Sequence, residues 1–200
     1  MYTKKIIIVL YSILSFSLMA DYYVKDQKIY YEGYDHKNGK FINYDDEVKN
    51  IDLDSFEQLN PFYARDNNTV YFRGKETDID RNSIKIIRLN LVKDKNFVYY
   101  GDKKLKVSPK NFLFVNRKVS NESIPTFHAG SIFYVKDSQN AYHVEVDKDG
   151  NIKETKLDNA DVGKLVSWNE ILAKDEKSVY RYGEKIDYID AVSFNGDGIG

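Results

Sequence analysis

The strongest constraint on this chain is a short motif that recurs five times along its 200 residues. In each copy an Asp begins a short connection, which is followed by an apolar residue and a Tyr; in the first three copies a second aromatic residue accompanies that Tyr. The copies span residues 26–31, 66–72, 94–100, 137–143 and 175–181, and the first copy is one residue short. Repetition at a regular spacing predicts a tandem array of equivalent units rather than one irregular core.

A second motif alternates with the first. It starts with Asp or Ser and has an apolar residue four positions later, and its copies start at Asp52, Asp80, Ser108, Asp161 and Asp190. The two motifs together define a unit of about 28 residues, with longer insertions around residues 32–50, 113–131 and 142–160. Asp or Ser at the start of such a motif caps a turn of helix. We therefore predict repeat units that are joined by short helical turns.

Within each unit the residues favour strands and tight turns. The Val-Tyr pairs are strand-favouring, and a Gly follows them in most units. The dipeptides Asn38-Gly39 and Asp149-Gly150 suit two-residue hairpin turns, and no stretch shows the sustained period of a long helix. The sequence therefore predicts an all-β chain of five tandem β-hairpin units. These units form a solenoid-like stack or a curved meander, and a closed propeller is the alternative.

We interpret the repeated aspartates as structural turn residues. They are Asp26, Asp66, Asp94, Asp137 and Asp175. A carboxylate at the start of a loop accepts hydrogen bonds from backbone N–H groups two residues further on. A glycosidase instead needs two carboxyl groups about 5–10 Å apart in one cleft. One Asp in each loop is a structural pattern, so we expect none of these residues to be catalytic.

The aromatic residues at the end of the first three motifs are the candidate ligand-binding residues. Tyr31, Phe72 and Tyr100 align along one face if the units stack, and an exposed row of rings suits sugar rings or a protein partner. Packing in the interior of the stack would produce the same pattern, so both interpretations stay open. Tyr99 and Tyr100 are consecutive in a predicted strand and must point to opposite sides. We expect one to be buried and the other to be partly exposed.

The remaining polar motifs do not predict a metal site. His36, His128 and His143 lack the spacing of metal ligands, and we expect each to lie at the surface or half-buried. Residues 147–151 resemble the start of a calcium-binding loop. However, the Gly and Glu that such a loop needs at its sixth and twelfth positions are replaced by Ile152 and Asp158. We interpret this segment as a hairpin turn.

Composition excludes several classes of function. The chain has 30 basic and 31 acidic side chains and a formal charge of −1, so it lacks the basic surface of a nucleic-acid-binding protein. It has no Cys, which excludes disulfides, thiolate metal sites and thiol nucleophiles. It also has no phosphate-binding loop, nucleophile elbow or dinucleotide-binding fingerprint. We expect no cofactor, no metal ion and no catalytic residue.

The N-terminal segment has the layout of a secretory signal peptide. Lys4 and Lys5 precede an apolar run over residues 6–18, and polar sequence begins after Ala20. The apolar run has about 13 residues, fewer than the roughly 20 that a membrane-spanning helix needs. We predict a signal peptide over residues 1–20 and one domain over residues 21–200 with no stable membrane span after processing. An uncleaved membrane anchor is the alternative.

The motif over residues 94–100 and its flanks resemble the DKNYY family of bacterial exported repeat proteins. The resemblance extends over about residues 21–194 and implies no activity that can be assigned to particular residues. We therefore expect a non-catalytic exported protein, periplasmic or extracellular, that presents a binding or structural surface to an envelope polymer or another envelope protein. Two alternatives stay open: an enzyme that acts on cell-wall polymer through carboxylates in one deep pocket, and a partner-binding inhibitor with a large apolar patch.

Overall fold

The computed structural model describes residues 21–37, 40–115 and 131–194, without the side chains of residues 34–37 and 40–44. The predicted signal peptide over residues 1–20 lies outside the described residues. Asn38-Gly39, His128 and the side chain of His36 lie outside them as well. Among the residues that are described, no helix has the length and apolar character needed to cross a membrane.

The described residues form 19 strands in five antiparallel sheets, and each sheet is one repeat unit. Unit 1 contains β1 (Asp21–Lys25), β2 (Lys28–Lys37) and β3 (Lys40–Glu47). Unit 2 contains β4 (Glu57–Gln58), β5 (Tyr63–Arg65), β6 (Val70–Phe72) and β7 (Lys75–Thr77). Unit 3 contains β8 (Lys85–Ile86), β9 (Leu91–Lys93), β10 (Val98–Tyr100) and β11 (Lys103–Leu105).

The last two units continue the same order. Unit 4 contains β12 (Leu113–Phe114), β13 (Ile132–Lys136), β14 (Ala141–Val146) and β15 (Ile152–Lys156). Unit 5 contains β16 (Val166–Ser167), β17 (Leu172–Lys174), β18 (Val179–Arg181) and β19 (Glu184–Lys185). In every sheet each strand pairs with the next one along the chain. The all-β fold of tandem hairpin units is therefore confirmed.

The segments that link the units are single turns rather than helices. In the turn before unit 3, the amides of Ser83 and Ile84 donate to the carbonyl of Asp80 at 3.2 and 3.0 Å. The next residue, Lys85, already begins β8, so the turn cannot extend into a helix. The described residues accordingly contain no helix. The predicted helical turns are thus limited to one turn each.

The units stack in series through apolar clusters that join each unit to the next. Between units 2 and 3, for example, the cluster contains the buried residues Tyr63, Val70, Ile79, Val92 and Tyr99. Four further clusters lie between units 1 and 2, units 3 and 4, units 4 and 5, and unit 5 and the turn over residues 190–194. None of the clusters formed by the described residues joins unit 5 back to unit 1, as a closed propeller requires. The arrangement is an open stack.

Because the stack covers both faces of a middle unit, consecutive strand residues are buried together. Tyr99 belongs to the cluster with unit 2, whereas Tyr100 belongs to the cluster with unit 4. Their side chains are 1% and 8% exposed. The prediction that one of these two rings is partly exposed is therefore wrong.

Hydrogen bonds between units complement the apolar clusters. The hydroxyl of Tyr63 in unit 2 donates to the carbonyl of Gly101 in unit 3 at 2.7 Å. In the same way, the hydroxyl of Tyr134 in unit 4 donates to the carbonyl of Ile171 in unit 5 at 2.7 Å. Each of these tyrosines buries its hydroxyl group in the interface, and a backbone carbonyl of the next unit accepts its hydrogen bond.

A basic residue before the repeated Asp makes a second kind of contact between units. The ammonium group of Lys136 donates to the carbonyls of Val162 at 2.6 Å and Leu165 at 3.1 Å, in the turn that begins unit 5. Equivalent bonds to the following turn are made by Arg65, Lys93 and Lys174. Cations are favourable beside the free carbonyls at the end of a helical turn. Each basic residue therefore fixes the next turn onto its own unit.

We predict that Lys136→Met destabilises the protein by about 2 kcal/mol, because it keeps the apolar stem but leaves the Val162 and Leu165 carbonyls without their charged donor. Urea unfolding measures this change. Lys148→Met is the matched control, since Lys148 is exposed in the same unit and should change stability by less than about 0.5 kcal/mol. Equal effects of the two substitutions would contradict the role given to Lys136.

Candidate functional site

The repeated Asp of unit 3 organises its whole unit through one carboxylate. Oδ1 of Asp94 accepts the backbone N–H groups of Asn96 and Phe97, both at 2.7 Å. Oδ2 accepts the backbone N–H of Asp80 at 3.0 Å and the hydroxyl of Tyr99 at 2.9 Å. One buried side chain thereby connects the hairpin turn, the linking turn and the adjacent strand.

The same arrangement recurs in the neighbouring units. Asp66 accepts bonds from the N–H groups of Asp52, Asn68 and Thr69 and from the Tyr71 hydroxyl. Asp175 accepts bonds from the N–H groups of Asp161, Lys177 and Ser178 and from the Tyr180 hydroxyl. Within the described residues, Asp137 has the three backbone donors Ser108, Gln139 and Asn140. The spacing of the two sequence motifs thus reflects a direct bond between them.

Asp26 differs from the other four aspartates. Lys25 pairs with Lys28, so Asp26 and Gln27 form a two-residue turn in which their φ angles are 50° and 60°. The side chain of Asp26 is exposed. Because the first motif is one residue shorter, its Asp lies in a tight two-residue turn. Asp26 therefore does not occupy the buried position that the other four aspartates share.

The environment of three of the buried carboxylates, those of Asp66, Asp94 and Asp137, favours their ionised form. Burial alone would raise the pKa of Asp94, but the hydrogen bonds from Asp80, Phe97, Asn96 and Tyr99 outweigh it and hold that pKa below its ordinary value. The pKa values of Asp66 and Asp137 are lowered in the same way. Burial is the main cause that raises the pKa of Tyr99 well above its ordinary value, and the hydrogen bond to Asp94 is the second cause. Carboxylates whose oxygens are occupied by structural donors are poorly placed to accept a proton from a substrate.

The three predicted ligand-binding aromatic residues lie between units rather than on an open face. Tyr31 is 0% exposed and Tyr100 is 8% exposed, whereas Phe72 is half-buried. A side-chain carbon built on Gly74 would lie 2.9 Å from Cβ of Tyr31, and one built on Gly101 would lie 3.0 Å from the Phe72 ring. Tyr31 and Phe72 therefore each pack against a glycine of the next unit. Of the two interpretations of this row, packing in the interior of the stack holds for Tyr31 and Tyr100, so these two rings do not form an exposed ligand-binding face.

His143 occupies the equivalent position in unit 4 and is fully buried, so its predicted surface or half-buried placement is wrong. Its ring lies 4.7 Å from that of Tyr134, and its Nε2 is 3.2 Å from the carbonyl of Glu170 in unit 5. Nδ1 lies 3.7 Å from Oε1 of Glu145. Burial lowers the pKa of His143 to about 4, although the Glu145 carboxylate opposes this shift. The imidazole is therefore neutral at pH 7.

The segment that resembled a calcium-binding loop is a hairpin turn. Val146 pairs with Ile152, and the residues between them connect β14 to β15. Oδ1 of Asp147 accepts the backbone N–H groups of Asp149 and Asn151 at 2.9 and 2.8 Å. The carboxylate thus closes its own turn. Among the described residues, no three His, Asp or Glu side chains are grouped so that they could hold a metal ion.

An open cleft of about 700 Å³ lies where unit 4 meets unit 5. It exists because the β14–β15 hairpin is longer than the β18–β19 hairpin against which it packs, so its outer part extends past the turn of unit 5. The cleft is lined by Glu145 and Lys153 of unit 4 and by Arg181, Tyr182, Glu184, Lys185, Ile186, Asp187 and Tyr188 of unit 5 or the segment that follows it.

The cleft contains residues that depart from the repeat. Tyr188 lies two positions before the Asp190 motif and is 86% exposed. The equivalent residues of the earlier units are polar and exposed: Asn50, Asp78, Lys106 and Asn159. Arg181 is exposed at the position where the earlier units have Tyr31, Phe72, Tyr100 and His143. These departures are visible in the sequence and are the signal from which the cleft could be predicted. The residues that the copies share do not point to it.

The charges of the cleft are only partly paired. Lys153 forms an ion pair with Glu145 at 3.0 Å, and Lys185 lies 3.4 Å from Asp187. The guanidinium of Arg181 lies 5.8 Å from the centre of the Tyr182 ring, and it makes no ion pair with the acidic groups that the structure describes. The cleft can therefore offer a cation, two accessible phenol rings and several carboxylate acceptors to a polar ligand.

We predict that His143 makes the stability of the protein depend on pH between about 6.5 and 4. Because the pKa of His143 is lower in the folded state than in the unfolded state, its contribution is present above about pH 6.5 and is lost as the pH falls. His143→Phe should therefore reduce the loss of unfolding free energy between pH 7 and pH 5, as measured by urea unfolding. Phe72→Tyr, the same position in unit 2, should leave that loss unchanged. Identical pH profiles for His143→Phe and the unchanged protein would contradict this prediction.

Comparison with known protein families gives a match to the DKNYY family over residues 63–196. The matched region contains Asp66, Asp94, Asp137 and Asp175 with their hydrogen-bond donors in the hairpin turns, and all residues that line the cleft. No curated protein and no solved structure matches the chain. Because the family model covers more than half of its length, this chain belongs to the DKNYY family.

Proposed function

We propose that this protein is a non-catalytic, exported repeat protein that binds a component of the cell envelope in the cleft between units 4 and 5. The observation that carries the proposal is the concentration of exposed departures from the repeat, Tyr188 and Arg181, in this one cleft. The residues that the units share maintain the stack here, so exposed residues that differ from their counterparts are the better candidates for a binding site.

The state of the carboxylates supports a binding role rather than catalysis. The carboxylates of Asp66, Asp94, Asp137 and Asp175 are buried and occupied by structural hydrogen bonds. In the cleft, Glu145 is paired with Lys153 and Asp187 with Lys185. A glycosidase needs one protonated and one free carboxyl group facing the same bond. The repeated aspartates and the paired Glu145 and Asp187 are poorly suited to those two roles, which favours the binding proposal.

The distribution of exposed apolar residues supports a polar ligand rather than a large apolar protein interface. The exposed large apolar residues among those described are Val24, Leu53, Ile86, Phe97, Leu113, Tyr182, Tyr188 and Val192. They are spread over all parts of the stack, and only Tyr182 and Tyr188 line the cleft. An inhibitor that buries a broad apolar patch would need them to be contiguous.

Export is part of the proposal and is supported by the order of residues at the N-terminus. Two lysines, an apolar run and Ala20 follow one another as they do in cleaved signal peptides. Export would place the cleft in contact with envelope polymers or with other envelope proteins.

Co-sedimentation with purified envelope material tests the proposal. We predict that the protein sediments with this material and that Tyr188→Ser reduces the bound fraction at least fivefold, because it removes the most exposed ring of the cleft. Val192→Ser is the matched control, since Val192 is 83% exposed but does not line the cleft. Absence of co-sedimentation, or equal losses for the two variants, would contradict the proposal.

A further inference from the structure

We infer that the cleft between units 4 and 5 binds a saccharide chain that carries carboxylate groups, with sugar rings against Tyr188 and Tyr182 and a carboxylate on Arg181. This inference rests on the proposed function and specifies its ligand. It depends on two features of the cleft: the accessible rings and the cation that has no acidic partner among the described residues.

The two tyrosines provide the surface on which sugar rings can pack. Tyr188 is 86% exposed and Tyr182 is 36% exposed. Tyr182 is held in place by a tight turn, because Arg181 pairs with Glu184 and the two residues between them have φ angles of 52° and 81°. A phenol ring combines an apolar face with a polar hydroxyl, which matches the C–H faces and hydroxyl groups of a pyranose.

Arg181 provides the preference for a carboxylate. The other two cations of the cleft, Lys153 and Lys185, are already paired with Glu145 and Asp187. Glu184 is opposite Arg181 in strand register, but the two side chains form no ion pair among the described contacts. A guanidinium group binds a carboxylate through two parallel hydrogen bonds, which a lysine cannot do. An anionic ligand group therefore has one well-suited partner in the cleft.

Calorimetric titration of the protein with two matched sugars tests this inference. The probes are a linear tetramer of galacturonic acid and its fully methyl-esterified form, which differ in charge but hardly in shape. We expect the acid form to bind at least tenfold more tightly. Arg181→Gln should abolish that difference, whereas Tyr188→Ser should weaken both sugars. Lys177→Gln removes the same charge from an exposed position in unit 5 outside the cleft and should leave the difference unchanged.

The outcomes separate this inference from the function on which it rests. Equal affinity for the two sugars, or an undiminished preference in Arg181→Gln, would overturn the carboxylate assignment. Tighter, Arg181-dependent binding of a tetraglutamate peptide would overturn the saccharide assignment in favour of an acidic peptide. If neither sugar binds while Tyr188-dependent co-sedimentation persists, the ligand class is wrong and the proposed function remains. Loss of both results would overturn both.

Discussion

The fold depends on a buried carboxylate that is fully used by hydrogen bonds. An ionised Asp inside a protein is costly unless its oxygens are satisfied, and units 2, 3 and 5 satisfy both oxygens with three backbone N–H groups and a Tyr hydroxyl. Strands of two or three residues have little stability of their own. The carboxylate couples the formation of these strands, because the linking turn, the hairpin turn and the neighbouring strand all donate hydrogen bonds to it.

Stacking then determines which side chains are free for function. A unit in the middle of the stack is covered on both faces. Its repeated residues are therefore buried in contacts with the neighbouring units, as Tyr100 is in the contact with unit 4. We therefore place the proposed binding site at the ends of the hairpins and at positions where the repeat is broken. The cleft beside Tyr188 and Arg181 has both properties, since a long hairpin of unit 4 overhangs a short one of unit 5 there.

Sequence reasoning predicted the units, their all-β character and the turn position of Asp66, because these properties depend on residues close together in the chain. It missed the burial of both Tyr99 and Tyr100, since alternation along a strand predicts opposite faces but not what covers each face. It also missed Lys136, whose carbonyl acceptor in Val162 lies 26 residues away. The cleft was missed because the copies were compared for what they share, whereas its residues Tyr188 and Arg181 are departures from the repeat. Its shape also depends on how two hairpins of unequal length pack, which the sequence does not give.

The central claim is that the carboxylate of each buried repeated Asp, in units 2 to 5, fixes the linking turn as firmly as the strands fix one another. Hydrogen exchange of individual amides, followed by NMR, tests it most directly at Asp80, whose N–H donates to Asp94 at 3.0 Å across 14 residues. The account predicts that the Asp80 amide exchanges as slowly as the strand amides of β9 and β10, and that Asp94→Asn accelerates its exchange at least tenfold. An Asp80 amide that exchanges as fast as one in an exposed loop, or that is unaffected by Asp94→Asn, would contradict the account.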